Sequence, residues 1–339
     1  MININVRGVI FALSAALFYA LNIPVSKIML KDIPPVLMAA FMYLGAGIGV
    51  GIMYLPHLKH ETPSERLCRE DLPYVLGMIL LDIIAPILLM IGVNTGTASN
   101  ASLLGNLETV FTALIALLLF HEKISVRLWL AVALITFSGM LLTFDVKEGL
   151  SFSSGSIFVL GAAACWGLEN NCTNAISRRS AYEIVTIKGL CSGAGSLIIG
   201  LSAGNSLPDA KHTASALVLG FMAYGLSIFT YIRAQNILGA AKTGAYYAST
   251  PFIGGLLSFV LLGEKLSTGY ALAFIIMSAG TVLAVIDTLH KHHLHEHSHR
   301  VFSIHGGRIH SYVITHCHEH NHYLTGRNHI HSHKRADHK

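Results

Sequence analysis

The sequence predicts an all-α integral membrane protein with ten transmembrane helices, arranged as two inverted five-helix repeats. Three observations carry this. Charged residues are only 12% of the 339, against 53% hydrophobic, whereas soluble domains carry about 25% charge. Apolar runs of roughly 20 residues recur, the length that crosses about 30 Å of hydrocarbon. The second half of the chain also repeats sequence features of the first.

The runs are 7–28, 34–55, 72–93, 98–120, 127–144, 154–176, 181–202, 213–236, 240–262 and 268–287. No alternating barrel-type pattern occurs, which leaves helices as the form that satisfies backbone polar groups in lipid. Span 7–28 is expected to be a retained signal anchor, because no small-residue cleavage site follows it. It carries Tyr19 and Asn22, three residues apart and so on one helical face. Span 72–93 contains Asp82, and span 98–120 contains Asn106 and Glu108. Span 127–144 closes the first repeat.

Span 154–176 opens the second with Trp166 and Glu169, again three apart, followed by Asn170 and Asn171. Span 181–202 holds Lys188 and the small residues Gly193, Gly195 and Gly200, which suit close helix approach. Span 240–262 places Tyr246, Tyr247, Ser249 and Thr250 ahead of Pro251. Proline frees backbone carbonyls that can line a cavity. Span 268–287 ends the apolar pattern.

The repeat is explicit. Gly8-Val-Ile-Phe-Ala-Leu-Ser-Ala-Ala-Leu-Phe-Tyr-Ala-Leu21 matches Gly155-Ser-Ile-Phe-Val-Leu-Gly-Ala-Ala-Ala-Cys-Trp-Gly-Leu168. Leu119-Phe-His-Glu-Lys-Ile-Ser125 matches Leu261-Leu-Gly-Glu-Lys-Leu-Ser267. The repeats therefore cover 7–144 and 154–287, and with five spans each the second enters the membrane upside down. Inverted repeats are common in secondary transporters, with the binding site near the midplane between the halves. Lys and Arg favour a cytoplasmic N-terminus: Arg7, Lys59, Arg66, Arg69, Lys123, Arg127, Arg178, Arg179, Arg233 and Lys242 then lie inside. An even number of spans puts the C-terminus there too. The expected home is a prokaryotic inner membrane.

The two five-helix halves, each opening with an aromatic and small-residue helix and carrying a Gly-Glu-Lys-Leu-Ser-like signature after its fourth, resemble the EamA branch of the drug/metabolite transporter superfamily. The resemblance covers about 7–287 and is strongest where Pro251 precedes Gly263-Glu264-Lys265-Leu266. In the first half His121 replaces the motif glycine, and Glu108-Thr109 stands where the family usually has an apolar–proline pair. The resemblance implies ten helices, alternating access and transport of a small molecule, over a substrate range from amino acids to drugs.

A charge inside a span costs roughly 2.5–3.5 kcal/mol on insertion scales and so usually meets a partner or a wet cavity. Asp82, Glu108, Glu169 and Lys188 are thus candidates for substrate binding or ion coupling, with Tyr19, Asn22, Asn106, Trp166, Asn170, Tyr247 and Thr250 as candidate cavity residues. A buried Lys188–carboxylate pair that only ties helices together is the alternative, as is ordinary aromatic packing for Tyr19 and Trp166. Glu122-Lys123 and Glu264-Lys265 read as solvated helix ends or as gates.

Residues 288–339 are a different object. Of the 20 His, 16 fall between His290 and His338. His292, His293, His295, His297 and His299 form one candidate metal-binding cluster. His316, Cys317, His318, His320 and His322 form a second. Imidazole suits Ni, Co, Zn and Cu(II). The segment is expected to lie in the cytoplasm, without ordered structure until metal binds. Five Cys without regular spacing exclude a disulfide framework. A net charge of +5, with seven of the 23 Lys and Arg beyond residue 289, reads as membrane orientation before nucleic-acid binding.

The expected function is gradient- or proton-coupled transport of a small solute, with no enzymatic activity and no required cofactor. No nucleophile–base pair, phosphate-binding glycine loop or HExxH occurs. The alternative is a divalent-metal exporter for Ni, Co or Zn, whose tail captures or senses the ion. Expected partners are the small-molecule substrate, the lipid bilayer, divalent metal ions at the tail and, as an open option, a second copy of the chain. Nucleic acid is not expected.

Overall fold

The computed structural model describes residues 4–58, 61–62, 65–120, 126–145, 151–152, 154–176, 179–238, 243, 246–305 and 308–323. Two compact units emerge, Met1–Val285 and Ile286–Lys339. The first is helical: α1 (Ile4–Ala20), α2 (Asn22–Met29), α3 (Pro35–Tyr54), α4 (Leu72–Thr95), α5 (Ala98–Leu104), α6 (Leu107–Phe120), α7 (Val126–Thr143), α8 (Ser154–Ala175), α9 (Ala181–Ser202), α10 (Ala210–Gly220), α11 (Ser227–Leu238), α12 (Thr250–Leu262) and α13 (Thr268–Leu289). A short strand pair, β1 (Phe144–Asp145) and β2 (Ser151–Phe152), lies between α7 and α8.

Among the described residues, six segments are long and apolar enough to cross a membrane: Val6–Met29, Pro35–Tyr54, Arg69–Thr95, Ala181–Ser202, Ala210–Ala234 and Thr268–Ile286. Trp129–Leu142 and Thr250–Leu262 are shorter apolar helices. Their outward faces are apolar, with Ile52 63%, Ile198 64%, Ile275 66% and Val260 80% exposed. Water would make such a surface an aggregation hazard, whereas lipid tails are its natural solvent.

Several expected single runs prove to be composite. The first breaks at Leu21, between α1 and α2. Pro24 has no N–H for the carbonyl of Ala20, where α1 stops. The fourth breaks at Gly105-Asn106, between α5 and α6, through tight turns in which Glu108 N donates to Gly105 O and Thr109 N to Asn106 O. The eighth contains a π turn, Phe221–Leu226, between α10 and α11. Such turns insert an extra residue and often mark functional sites. Helix α4 carries Pro86, which has no N–H for the carbonyl of Asp82 four residues back.

Packing is chiefly between the halves of the chain: α3 lies along α9, α4 along α8, α1 along α11, and α5 against α12. Small residues make this possible. Gly47 and Gly189 face one another where α3 meets α9, and a Cβ on Gly189 would sit 2.5 Å from Gly47 Cα. Lipid exerts no hydrophobic drive between helices, so close backbone contact supplies the attraction. The core includes Leu37, Met38, Met42, Leu103, Leu104, Ile135 and Met277, all essentially sealed from solvent.

Polar contacts tie the ends of the helices. The Glu264 carboxylate accepts from Ala98 N (2.8 Å) and Ser99 N (3.0 Å), capping α5 from the far half of the chain. Lys27 Nζ donates to the carbonyls of Val93, Asn94 and Gly96 at the end of α4, at 2.6–2.8 Å. Elsewhere, Arg179 pairs with Asp71 at 2.9 Å, and Glu183 accepts from Leu67 N at 2.9 Å.

In the second unit, β3 (His290–His305) pairs antiparallel with β4 (Arg308–Tyr323), setting His295 opposite His318 and His297 opposite His316. The side chains of the candidate metal residues His292, His293, His295, His297, His299, His316, Cys317, His318, His320 and His322 lie outside the described residues. His121, Glu122 and Lys123 lie outside them too.

Candidate functional site

A cavity of about 270 Å³ opens between the two halves of the bundle. Its charged lining is Glu108 from α6, Glu169 from α8 and Lys188 from α9. Its aromatic walls are Tyr19, Tyr43, Trp166, Tyr224 and Tyr247. Asn170 and the small or apolar residues Ala46, Val185, Gly189 and Ile228 complete it.

Lys188 is the hub. Its ammonium lies 3.0 Å from Asp82 Oδ2 and 2.9 Å from Glu169 Oε1. Asp82 is fully buried on α4. Its other oxygen accepts from Tyr43 OH (2.9 Å) and Trp166 Nε1 (3.2 Å). Thr173 donates to Glu169 from one turn further along α8. Tyr43 and Trp166 thus converge on Oδ1 of Asp82, and Lys188 and Thr173 on Oε1 of Glu169, which ties α3, α4, α8 and α9 together through one polar cluster.

Glu108 stands apart from that cluster. Its Oε1 accepts from Asn170 Nδ2 at 2.7 Å, and Asn170 also reaches Thr112 Oγ1 at 3.3 Å. No lysine or arginine among the described residues pairs with Glu108. The Glu108–Asn170 bond joins α6 to α8, elements of opposite halves.

The aromatic walls interlock. Tyr19 meets Tyr224 edge-on at 5.4 Å and 87°, and lies 6.0 Å from Tyr247; Tyr224 is 5.3 Å from Tyr43. Tyr224 projects from the π turn, and its hydroxyl accepts from Asn22 Nδ2 at 3.0 Å. Asn22 is buried behind this wall, with Ser26 Oγ donating to its Oδ1 at 3.2 Å.

The structure thus brings Tyr19, Glu108, Trp166, Glu169, Asn170, Lys188 and Tyr247 to one cavity, with Asp82 and Asn22 directly behind its walls. Two sequence candidates lie elsewhere. Asn106 is buried and donates to Thr281 Oγ1 at 3.2 Å, bracing the α5–α6 break against α13. Thr250 donates to Tyr247 O at 2.6 Å, a local bond that closes the turn before α12. Sequence reasoning missed Tyr43 and Tyr224. Both sit in unbroken apolar runs where nothing distinguishes a cavity aromatic from a packing one.

An apolar-faced helical bundle enclosing a charged, aromatic-walled cavity defines an integral membrane protein of the transporter class. Residues 6–144 and 153–286 each match the EamA-like transporter family, and the chain belongs to that family. It is 28% identical over 298 residues to an uncharacterized transporter of Methanothermobacter thermautotrophicus, across 81% of this chain and 85% of that one. A solved crystal structure is similar in fold, with a TM-score of 0.61 at 16% identity, covering 83% of this chain and 96% of its own.

Proposed function

We propose that the chain is a secondary active transporter that moves a small solute by alternating access, coupled to a proton or solute gradient. The supporting observation is the convergence of Glu108, Glu169 and Lys188, with Asp82 directly behind them, on one cavity between helices of opposite halves. Ionisable groups at membrane depth cost free energy, and a water-filled substrate path is the usual reason to keep them. In this reading ten crossings form two oppositely oriented halves, 7–144 and 154–287, which rock about the cavity. Both termini face the cytoplasm of a prokaryotic cell, the protein sits in the inner membrane, and it performs no covalent chemistry.

The test uses the full chain in sealed proteoliposomes with an imposed pH gradient and a trapped pH-sensitive dye. Solute-dependent proton movement in the wild type, lost in Glu108→Gln or Glu169→Gln, is expected. Unaltered proton movement in both variants would remove the coupling role.

The His-rich segment 288–339, whose described residues pair as β3 and β4 where the sequence predicts no order, is proposed as an accessory arm that captures Ni, Co, Zn or Cu(II), while transport itself needs no cofactor. A metal-exporting role for the cavity is less well supported. Lys188 already occupies one oxygen of Asp82 and one of Glu169, and among the described residues no group of three His, Cys, Asp or Glu is placed to hold an ion.

A further inference from the structure

We infer that the cavity selects small organic cations, amines or quaternary ammonium compounds that carry no carboxylate of their own. This rests on the transporter reading above and names the substrate class of the same site.

The first argument is charge. Lys188 is the one cationic side chain lining the cavity among the described residues, and its ammonium is shared between Asp82 and Glu169. Its single charge is outweighed by two carboxylates before any ligand arrives. Glu108 adds a third, held by an amide that brings a hydrogen bond but no charge. An anion entering here would face Glu108 and Glu169 in the lining, with Asp82 directly behind it. A free amino acid would bring a carboxylate whose one cationic partner in the lining among the described residues, Lys188, is already shared between Asp82 and Glu169, and desolvating an underpaired charge is costly. A cation meets the opposite situation, since it supplies the charge that Glu108 lacks.

The second argument is the wall. Tyr19, Tyr43, Trp166, Tyr224 and Tyr247 surround the carboxylates with aromatic rings at centroid separations of 5.3–6.0 Å for the Tyr19–Tyr224, Tyr19–Tyr247 and Tyr43–Tyr224 pairs. Ring faces attract cations electrostatically, and several rings around one cation form the cage used for quaternary ammonium groups. Neither feature depends on the other: the carboxylates confer the sign of charge, and the rings confer tolerance of alkyl substituents. The volume of about 270 Å³ lies just under the roughly 300–1,000 Å³ of drug-sized sites, so the ligand is small.

The test measures binding to the full-length protein by thermal shift. Its probes are tetramethylammonium and four molecules of one shape: phenethylamine, 2-phenylethanol, phenylalanine and 3-phenylpropionate. Exchange in sealed vesicles is followed with labelled tetramethylammonium and labelled phenylalanine. The two cations should raise Tm, the neutral, zwitterionic and anionic probes should not, and tetramethylammonium alone should exchange. Glu108→Gln should weaken amine binding about tenfold or more, the loss expected for a charge-assisted hydrogen bond. Tyr247→Leu, which leaves every carboxylate in place, should weaken tetramethylammonium several-fold. Exchange of phenylalanine but not tetramethylammonium would overturn cation selectivity and leave transport standing. Cation binding that is sensitive to both variants, with neither label exchanging, would uphold the selective site and overturn the transport reading. Binding by no probe, or cation binding undiminished in both variants, would overturn the inference.

Discussion

Lys188 on α9 holds Asp82 on α4 at 3.0 Å, an ion pair that spans the two halves of the chain at the edge of its central cavity. Glu169 shares the same ammonium at 2.9 Å. One cation is therefore the electrostatic keystone for two buried carboxylates.

Lys188→Met should be strongly destabilising, by about 3–5 kcal/mol, because it strands both carboxylates without a counter-charge. Asp82→Asn should cost less, since Lys188 keeps Glu169 and the amide can still accept from Tyr43 or Trp166. Thermal unfolding of the two purified variants in one detergent checks the order. Equal or reversed losses would contradict the keystone role.

Close approach of α3 and α9 depends on hydrogen side chains at Gly47 and Gly189. A Cβ on Gly47 would come 2.5 Å from Leu190 N, so backbone and not a flexible side chain would have to move. Gly47→Val should cost about 1–3 kcal/mol through overpacking and lower the yield of monodisperse protein. Size-exclusion profiles and melting curves read the effect. Wild-type behaviour would mean the helices can separate freely.

Glu264 caps α5 across the bundle, accepting from Ala98 N and Ser99 N. Glu264→Ala removes both acceptors from a helix start and should cost about 1–2 kcal/mol. Glu264→Gln keeps one acceptor oxygen and should restore part of that. Thermal melts of the pair distinguish a cap from a merely solvated charge, for which neither change would register.

Asp209 caps α10, accepting from His212 N at 2.8 Å, and this backbone bond, helped by the nearby His212 ring, holds its carboxyl below the usual aspartate value. A lowered folded value means the carboxylate stabilises the folded cap at pH above the unfolded value of about 3.9. The contribution fades as pH falls through the lowered value. Protection of the His212 and Thr213 amides, their exchange measured against the intrinsic rate at each pH, should fall at acid pH in the wild type. Asp209→Asn keeps an accepting oxygen and should flatten that dependence, whereas an unchanged profile would show that another group controls it.

The intramembrane charges were legible in the sequence because each breaks an apolar run, and a buried charge demands an explanation whatever the fold. Tyr19 and Trp166 were legible through their equivalent places in the repeat. Tyr43 and Tyr224 were not, because aromatic residues in apolar runs pack far more often than they line cavities. Asn106 and Thr250 lie outside the cavity for a related reason: a polar side chain in a span needs only one partner, and Thr281 across the bundle and the neighbouring carbonyl of Tyr247 supply it.

The sequence by itself determined that the chain lives in lipid, that its polypeptide is helical, and which residues carry charge within it, because composition and hydrophobic run length act locally and additively. Only the tertiary structure decided which charge meets which. Asp82 is far from Glu169 and Lys188 in the chain, and the meeting of all three depends on how α4, α8 and α9 cross. That crossing is set by the fit of small residues between backbones, as where Gly92 of α4 meets Gly155 of α8. Packing between distant segments has no period in the sequence, so it becomes visible only when the helices are assembled.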